Sequence, residues 1–339
     1  MHQITLIPGD GIGPSIVEAT VQVIEATGVR IAWDRQLAGM AAVDRYDNPL
    51  PGATLDSIRK HRVCLKGPLT TPVGGGYRSV NVTLRQTFNL YANMRPAVSF
   101  EGTDTMYQNV NLMTVRENTE GLYAGIEHFI TVDGEKLAAE STAIVTRKGC
   151  ERIIRYAFDY ARKARRKKIT LVHKANILKC TSGLFLEIGR DIAREYPDIE
   201  FDDRIVDACC MQLVMKPESF DVIVTTNLFG DILSDLAAGL IGGLGLTAGA
   251  NIGADAAIFE AVHGSAPDIA DQGIANPTAM TLAGAMMLEH LGELEAARKI
   301  EQAVRDVIRE GEIVTPDLKK DSPHGTRDIA AAIVAKIKG

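Results

Sequence analysis

Short apolar runs alternate with longer stretches of helical period through most of this chain. ITLIP (Ile4 to Pro8), VCLKG, LYANMRP, VNLMTVRE, KITLVHK and FDVIVTTN read as strands. The first passes through GDGIG into a helix beginning near Pro14, an early helix position that suits proline. Residues 277–310 carry a helical period broken near Gly292, which predicts two helices. This alternation predicts an α/β fold. From Leu122 to Thr146 the pattern changes to short β-prone pieces around Asp133-Gly134, a good hairpin turn. Such an excursion presents strand edges that seek partners, as an inter-subunit element would.

At 339 residues the chain can form two domains or one large one. Its 46% hydrophobic and 24% charged content is that of an ordinary globular protein. A net charge of −6 argues against a nucleic-acid partner. The basic run RKARRKK (Arg162 to Lys168) closes a predicted helix, where cations complement the helix dipole, and is assigned no partner. Five cysteines without CxxC or zinc-finger spacing fit a reducing, cytoplasmic setting. Neither a signal or transit pattern nor an apolar run able to span a bilayer is expected.

Candidate chemistry starts in GPLTTPVGGGYRSVNVTLRQTFNLYANMRP. A glycine triplet (Gly74, Gly75, Gly76) precedes Ser79, Asn81 and Arg85, and Arg95 follows on the next strand. Ser79 stands where a helix N-cap is expected, and the two arginines offer planar forks for carboxylates, so the segment reads as a receptor for a small polyanion. In TTNLFGDILSD, Asp231 and Asp235 lie four apart on one helical face. Like charges there weaken a helix unless something positive sits between them. The spacing leaves open a solvated face or, with Asp207 of RIVDACC, an oxygen site for Mg²⁺ or Mn²⁺. Arg116 and Tyr123 in VRENTEGLYAG, and Lys174 in HKANI, stand at strand ends, where ligands collect in α/β proteins. Each could equally be structural. GDGIG has GxGxG spacing and GLGLTA follows a helix, so neither supports a Rossmann site. The long loop in FEAVHGSAPDIADQGIANP (Phe259 to Pro277) is the better nucleotide candidate.

LIPGDGIGP, VRENTEGLYAG, HKANI, TTNLFGDILSD and AVHGSAPDIA together resemble the β-decarboxylating dehydrogenases that act on isocitrate, isopropylmalate, homoisocitrate and tartrate. The resemblance covers essentially the whole chain. It implies a two-domain α/β/α fold that is not a Rossmann fold, with a large domain of residues 1–98 and 248–339. The small domain would be 99–247, with 122–146 as the clasp of an obligate homodimer. Arg85, Arg95 and Arg116 would bind the substrate carboxylates that the family shares. Asp231 and Asp235 would hold Mg²⁺ or Mn²⁺ with Asp207 of the other subunit. Tyr123 and Lys174, the latter also from the partner, would move protons.

Ser79 and Asn81 offer a hydroxyl and an amide where isopropylmalate enzymes are apolar, which implies isocitrate, oxidised and decarboxylated to 2-oxoglutarate. An apolar substituent would leave those atoms unpaired, at about 1–3 kcal/mol each. Asp268 and Ile269 replace the Lys-Tyr of NADP-using bacterial relatives, and Pro316 replaces a second NADP-favouring tyrosine; both imply NAD⁺. Thr70, His263, Gly264, Ser265, Ala266 and Asn276 would contact the rest of the dinucleotide. The competing expectations are a homoisocitrate or isopropylmalate enzyme and a non-catalytic regulatory subunit, although the latter loses residues retained here.

Overall fold

The computed structural model describes residues 1–71, 77 and 79–339; the glycine triplet lies outside them. The chain divides into two compact units. One comprises Met1–Phe88, Val98–Val110 and Ala238–Gly339, the other Asn89–Ala97 and Asn111–Ala237.

In the first unit the strand order is β2 (Ile31–Arg35), β1 (His2–Ile7), β3 (Val63–Lys66), β12 (Ala257–Ala261), β11 (Ala248–Ile252). Neighbours are parallel except β11 with β12. Strands β3 and β12 are buried along their whole length, as parallel strands covered on both faces are. The helices are α1 (Gly13–Ala26), α2 (Met40–Tyr46), α3 (Gly52–His61), α4 (Val80–Thr87), α9 (Thr278–His290), α10 (Leu294–Glu310) and α11 (Thr326–Lys338). Helix α9 packs on β3, β11 and β12 and also against α1 and α10, which is why it is apolar nearly all round. Helix α10 instead buries one stripe, Ala296, Ala297, Ile300, Ala303, Val304, Val307 and Ile308. Gly292 lies between the two helices, at the expected break.

The GDGIG turn is built for close approach. Asp10 is buried, and its carboxylate accepts the backbone N–H groups of Met40 at 2.9 Å and Thr70 at 2.8 Å. Ile12 N–H donates to the Ser265 carbonyl at 2.9 Å. Gly11 has φ +57°, and a Cβ there would stand 2.0 Å from that same carbonyl oxygen. The glycines therefore let the first turn touch the 262–277 loop.

In the second unit the order is β4 (Ala92–Val98), β5 (Asn111–Glu117), β10 (Val222–Thr225), β8 (Lys168–His173), β9 (Glu200–Ile205), with β5, β10, β8 and β9 parallel. Its helices are α5 (Arg147–Lys163), α6 (Thr181–Ala193), α7 (Val206–Met215) and α8 (Asn227–Leu240). Helix α5 buries Cys150, Ile153, Ile154, Ala157, Phe158 and Ala161, an i, i+3, i+4, i+7 stripe. The basic run after it is a solvated helix end: Arg162 pairs with Asp198, Arg166 with Asp221 and Lys168 with Asp202. Strands β6 (Glu127–Val132) and β7 (Glu135–Ser141) form an antiparallel hairpin through Asp133-Gly134. Every residue of both strands is exposed, Phe129, Ile130, Val132 and Leu137 included. The five cysteines are free thiols, Cys209 buried and Cys210 half-buried. Among the described residues no helix is long and apolar enough to cross a membrane.

Gly11→Ala forces a side chain onto the Ser265 carbonyl in a left-handed backbone. It should lower unfolding free energy by about 1–3 kcal/mol in urea titrations; unchanged stability would show that the turn relaxes freely.

Candidate active site

Strands β4 and β5 of the second unit deliver Arg95 and Arg116 to α8. Arg116, at the end of β5, is 1% exposed, and its Nε and Nη2 donate to Oδ1 of Asn227 at 3.0 and 2.7 Å. Its Nη1 pairs with Asp231. Arg95, on β4, donates from Nε to Asn93 at 2.8 Å and from Nη1 to Ser234 and Asp235, both at 3.3 Å. Its Nη2 lies 3.9 Å from Asp231. The two like charges on one helical face thus have cations between them. Gly230 makes this possible, since a Cβ there would meet Cγ of Arg116 at 2.5 Å.

Tyr123 sits in a short 3₁₀ turn, Leu122–Ala124, and its hydroxyl donates to Oδ2 of Asp231 at 2.5 Å. Burial, and then this bond and the charge of Asp231, push the phenol's pKa up, so it holds its proton. Asp235 is also pushed up, by burial and by Asp231, against the pull of Arg95. The side chains of Asp231 and Asp235 remain 36% and 56% exposed, open enough to take a ligand.

Lys174 follows β8, and Asp207 lies in the first turn of α7. They pair with each other at 2.5 Å within this chain. That bond holds the Asp207 carboxyl below its usual range. The neighbour the structure gives Lys174 is therefore a carboxylate.

In the first unit Ser79 caps α4, accepting the Val82 N–H at 3.5 Å. Asn81 has its Oδ1 buried without a hydrogen-bond partner. Arg85 has its Nη2 3.6 Å from Glu260, whose other oxygen is 2.6 Å from Lys66. Asn251 donates to Glu260 at 2.7 Å. Burial pushes the Glu260 carboxyl up, but Lys66, Arg85 and the bonds it accepts outweigh that and hold it at about 2.

The loop after β12 encloses a pocket of about 430 Å³ lined by Ile12, Gly245, His263, Ile269, Asn276 and Asp317, among others. Pro316, Gly264 and Ala266 also face it. Thr70 bonds Ser265 through their hydroxyls at 2.7 Å, and Asn276 donates to Asp317 at 3.0 Å. Asp268 is exposed in the same loop. His263 faces the Gly264 carbonyl through Nδ1 at 2.9 Å, so that nitrogen carries the proton. Burial pulls its pKa down, leaving a neutral ring whose Nε2 is buried with no partner.

These residues fit the groups that the chemistry requires. A bare imidazole acceptor in a largely apolar pocket suits the amino edge of a nucleobase. For a metal, no cluster of three His, Cys, Asp or Glu side chains is present among the described residues. The oxygen pair Asp231 and Asp235 suits an ion that keeps water and takes further ligands from substrate. Asn227, Ser234, Lys66, Glu260 and Asp317 were not singled out from the sequence. A lysine inside VCLKG and a glutamate inside AIFEA were the available signals.

Residues 3–333 match the isocitrate/isopropylmalate dehydrogenase family, and the chain belongs to that family of two-domain α/β oxidoreductases. Among its relatives, a crystal structure of isocitrate dehydrogenase from Methylococcus capsulatus is 79% identical, covers 100% of both chains and superposes with a TM-score of 0.98. Isocitrate dehydrogenase [NAD] catalytic subunit 6 of Arabidopsis thaliana, a mitochondrial protein, is 50% identical over 97% of this chain and 87% of its own. The chloroplastic 3-isopropylmalate dehydrogenase of Solanum tuberosum is 47% identical over 91% and 86%.

The depressed carboxyl of Glu260 contributes stability that is present above about 4.5, its ordinary value, and is lost as pH falls toward about 2. Glu260→Gln should therefore flatten the stability–pH curve in that window, read by chemical denaturation; an unchanged acid slope would exclude Glu260 as its source.

Proposed function

We propose that this chain oxidises and decarboxylates isocitrate to 2-oxoglutarate and CO₂ with NAD⁺ and Mg²⁺ or Mn²⁺, working as a homodimer. The observation that carries this reading is the convergence of two buried guanidiniums, two carboxylates and a protonated phenol around the start of α8. When bound, NAD⁺ supplies the hydride acceptor and the divalent ion supplies positive charge at the substrate oxygens. Arg95 and Arg116 bind and orient the substrate carboxylates through forked, charge-assisted bonds. Arg85, its guanidinium oriented by Glu260, binds a carboxylate as well. Asp231 and Asp235 hold the divalent ion, with Asp207 of the partner subunit. Lys174 of the partner subunit accepts the hydroxyl proton, and Tyr123 returns a proton to carbon.

The exposed β6–β7 hairpin supports the dimer. A two-stranded ribbon with apolar side chains outward has no core of its own and is stabilised by a second copy. On this reading the first unit forms the large domain and the second, with the 122–146 clasp, the small one. Ser79 and Asn81 receive the third carboxylate. Asp268 accepts the ribose hydroxyls, Thr70, Ser265 and Asn276 position the dinucleotide, and His263 contacts its base. Free thiols fit a cytoplasmic setting.

The likeness to a 3-isopropylmalate dehydrogenase makes substrate the decisive test. With NAD⁺ and Mg²⁺, kcat/KM for isocitrate should exceed that for isopropylmalate and homoisocitrate by at least about tenfold. Preference for isopropylmalate would defeat the assignment of Ser79 and Asn81. Asp268→Lys combined with Ile269→Tyr should shift the NAD⁺/NADP⁺ ratio toward NADP⁺; an unmoved ratio would remove Asp268 from cofactor choice.

A further inference from the structure

Arg116 is held in large part by a neutral group, as Arg95 is in part by Asn93. A buried guanidinium offering two parallel N–H groups is ordinarily met by a carboxylate. Here Nε and Nη2 both end on one neutral oxygen, Oδ1 of Asn227. Asn227 is itself 1% exposed, and its Nδ2 donates to the Glu120 carbonyl at 3.2 Å. Glu120 lies in the segment that joins Arg116 to Tyr123, so one amide fixes both the guanidinium and the approach to the phenol. Glu117 reinforces that segment, its carboxylate accepting the N–H groups of Thr119 at 3.0 Å and Glu120 at 2.8 Å. The carboxylate on Nη1, Asp231, is a proposed cation ligand.

The chemistry of the support matters. A carboxylate at position 227 would hold the same two N–H groups but would cancel the charge and repel an approaching anion. An amide oxygen gives the geometry without the charge. We infer that Asn227 is a positioning residue that orients Arg116 while leaving its positive charge for a substrate carboxylate, and that couples this orientation to the Tyr123 turn. The inference rests on the reading of Arg116 as a carboxylate-binding residue.

The test uses the full-length protein with isocitrate, Mg²⁺ and NAD⁺, and compares Asn227→Asp, Asn227→Ser and Arg116→Gln. Folding is checked by circular dichroism and thermal denaturation. Asn227→Asp is nearly the same shape but adds the charge. Its isocitrate Kd should rise about tenfold or more, equivalent to about 1.4 kcal/mol, with NAD⁺ affinity within about twofold of wild type. Asn227→Ser keeps the site neutral and loosens the orientation, so its loss should be smaller than that of Asn227→Asp. Isocitrate binding by folded Asn227→Asp equal to wild type, with Arg116→Gln impaired, overturns the inference; so does Asn227→Ser being as damaging as Asn227→Asp. If Arg116→Gln itself binds isocitrate normally, the carboxylate-binding reading fails instead. Should Asn227→Asp not fold, Asn227→Ser decides alone: a raised isocitrate Kd with unchanged NAD⁺ affinity supports the role, and wild-type binding of both excludes it.

Discussion

A guanidinium buried at the end of a parallel strand must have partners, and in this protein that requirement organises the second unit. Arg116 is almost wholly out of water, and losing its partners would leave an uncompensated buried charge, a cost of about 3–5 kcal/mol. Helix α8 supplies those partners in about one turn: Asn227, Gly230 to admit the side chain, then Asp231. The helix needs the arginines in return. Asp231 and Asp235 repel one another across a turn, and Arg95 stands 3.9 Å from one and 3.3 Å from the other. Strand ends and helix start thus satisfy each other's charges, and the site is what results.

The first unit solves a related problem differently. Lys66 and Arg85 share one buried carboxylate, Glu260, with Asn251 completing its hydrogen bonds. Two cations on one anion leave a net positive charge, suited to a further carboxylate. The proposed dinucleotide side is different in kind: mostly apolar pocket walls, a neutral His263 with an unpartnered nitrogen, and Asp268 exposed on the loop. Together these favour a base and a ribose over an extra phosphate.

Much of this was legible in the sequence because the relevant signals are local. Apolar runs gave the strands, Pro14 the first helix, Gly292 the break between α9 and α10, and Asp133-Gly134 the hairpin. The i, i+4 spacing of Asp231 and Asp235 left a solvated face and a cation-paired site both open, and Arg95 and Arg116 decide for the second. What the sequence withheld depends on tertiary approach. Nothing local distinguishes Asn227 from an ordinary helix-start residue, since its function depends on Arg116, distant in sequence. Asp10 looks like a turn residue until its carboxylate is found tying Met40 and Thr70 together. Lys174 and Asp207 were both legible as strand-end residues, but not as partners of one another, nor Asp207 as the first turn of a helix.

The cluster around Arg95, Arg116, Asp231 and Tyr123 is proposed to receive the substrate, and a crystal structure of the protein with isocitrate and Mg²⁺ tests this directly. Substrate carboxylates are expected on Arg95 and Arg116, the metal on Asp231 and Asp235, and the Tyr123 hydroxyl facing the substrate carbon. Isocitrate bound away from both arginines, or a metal held without either aspartate, would contradict it.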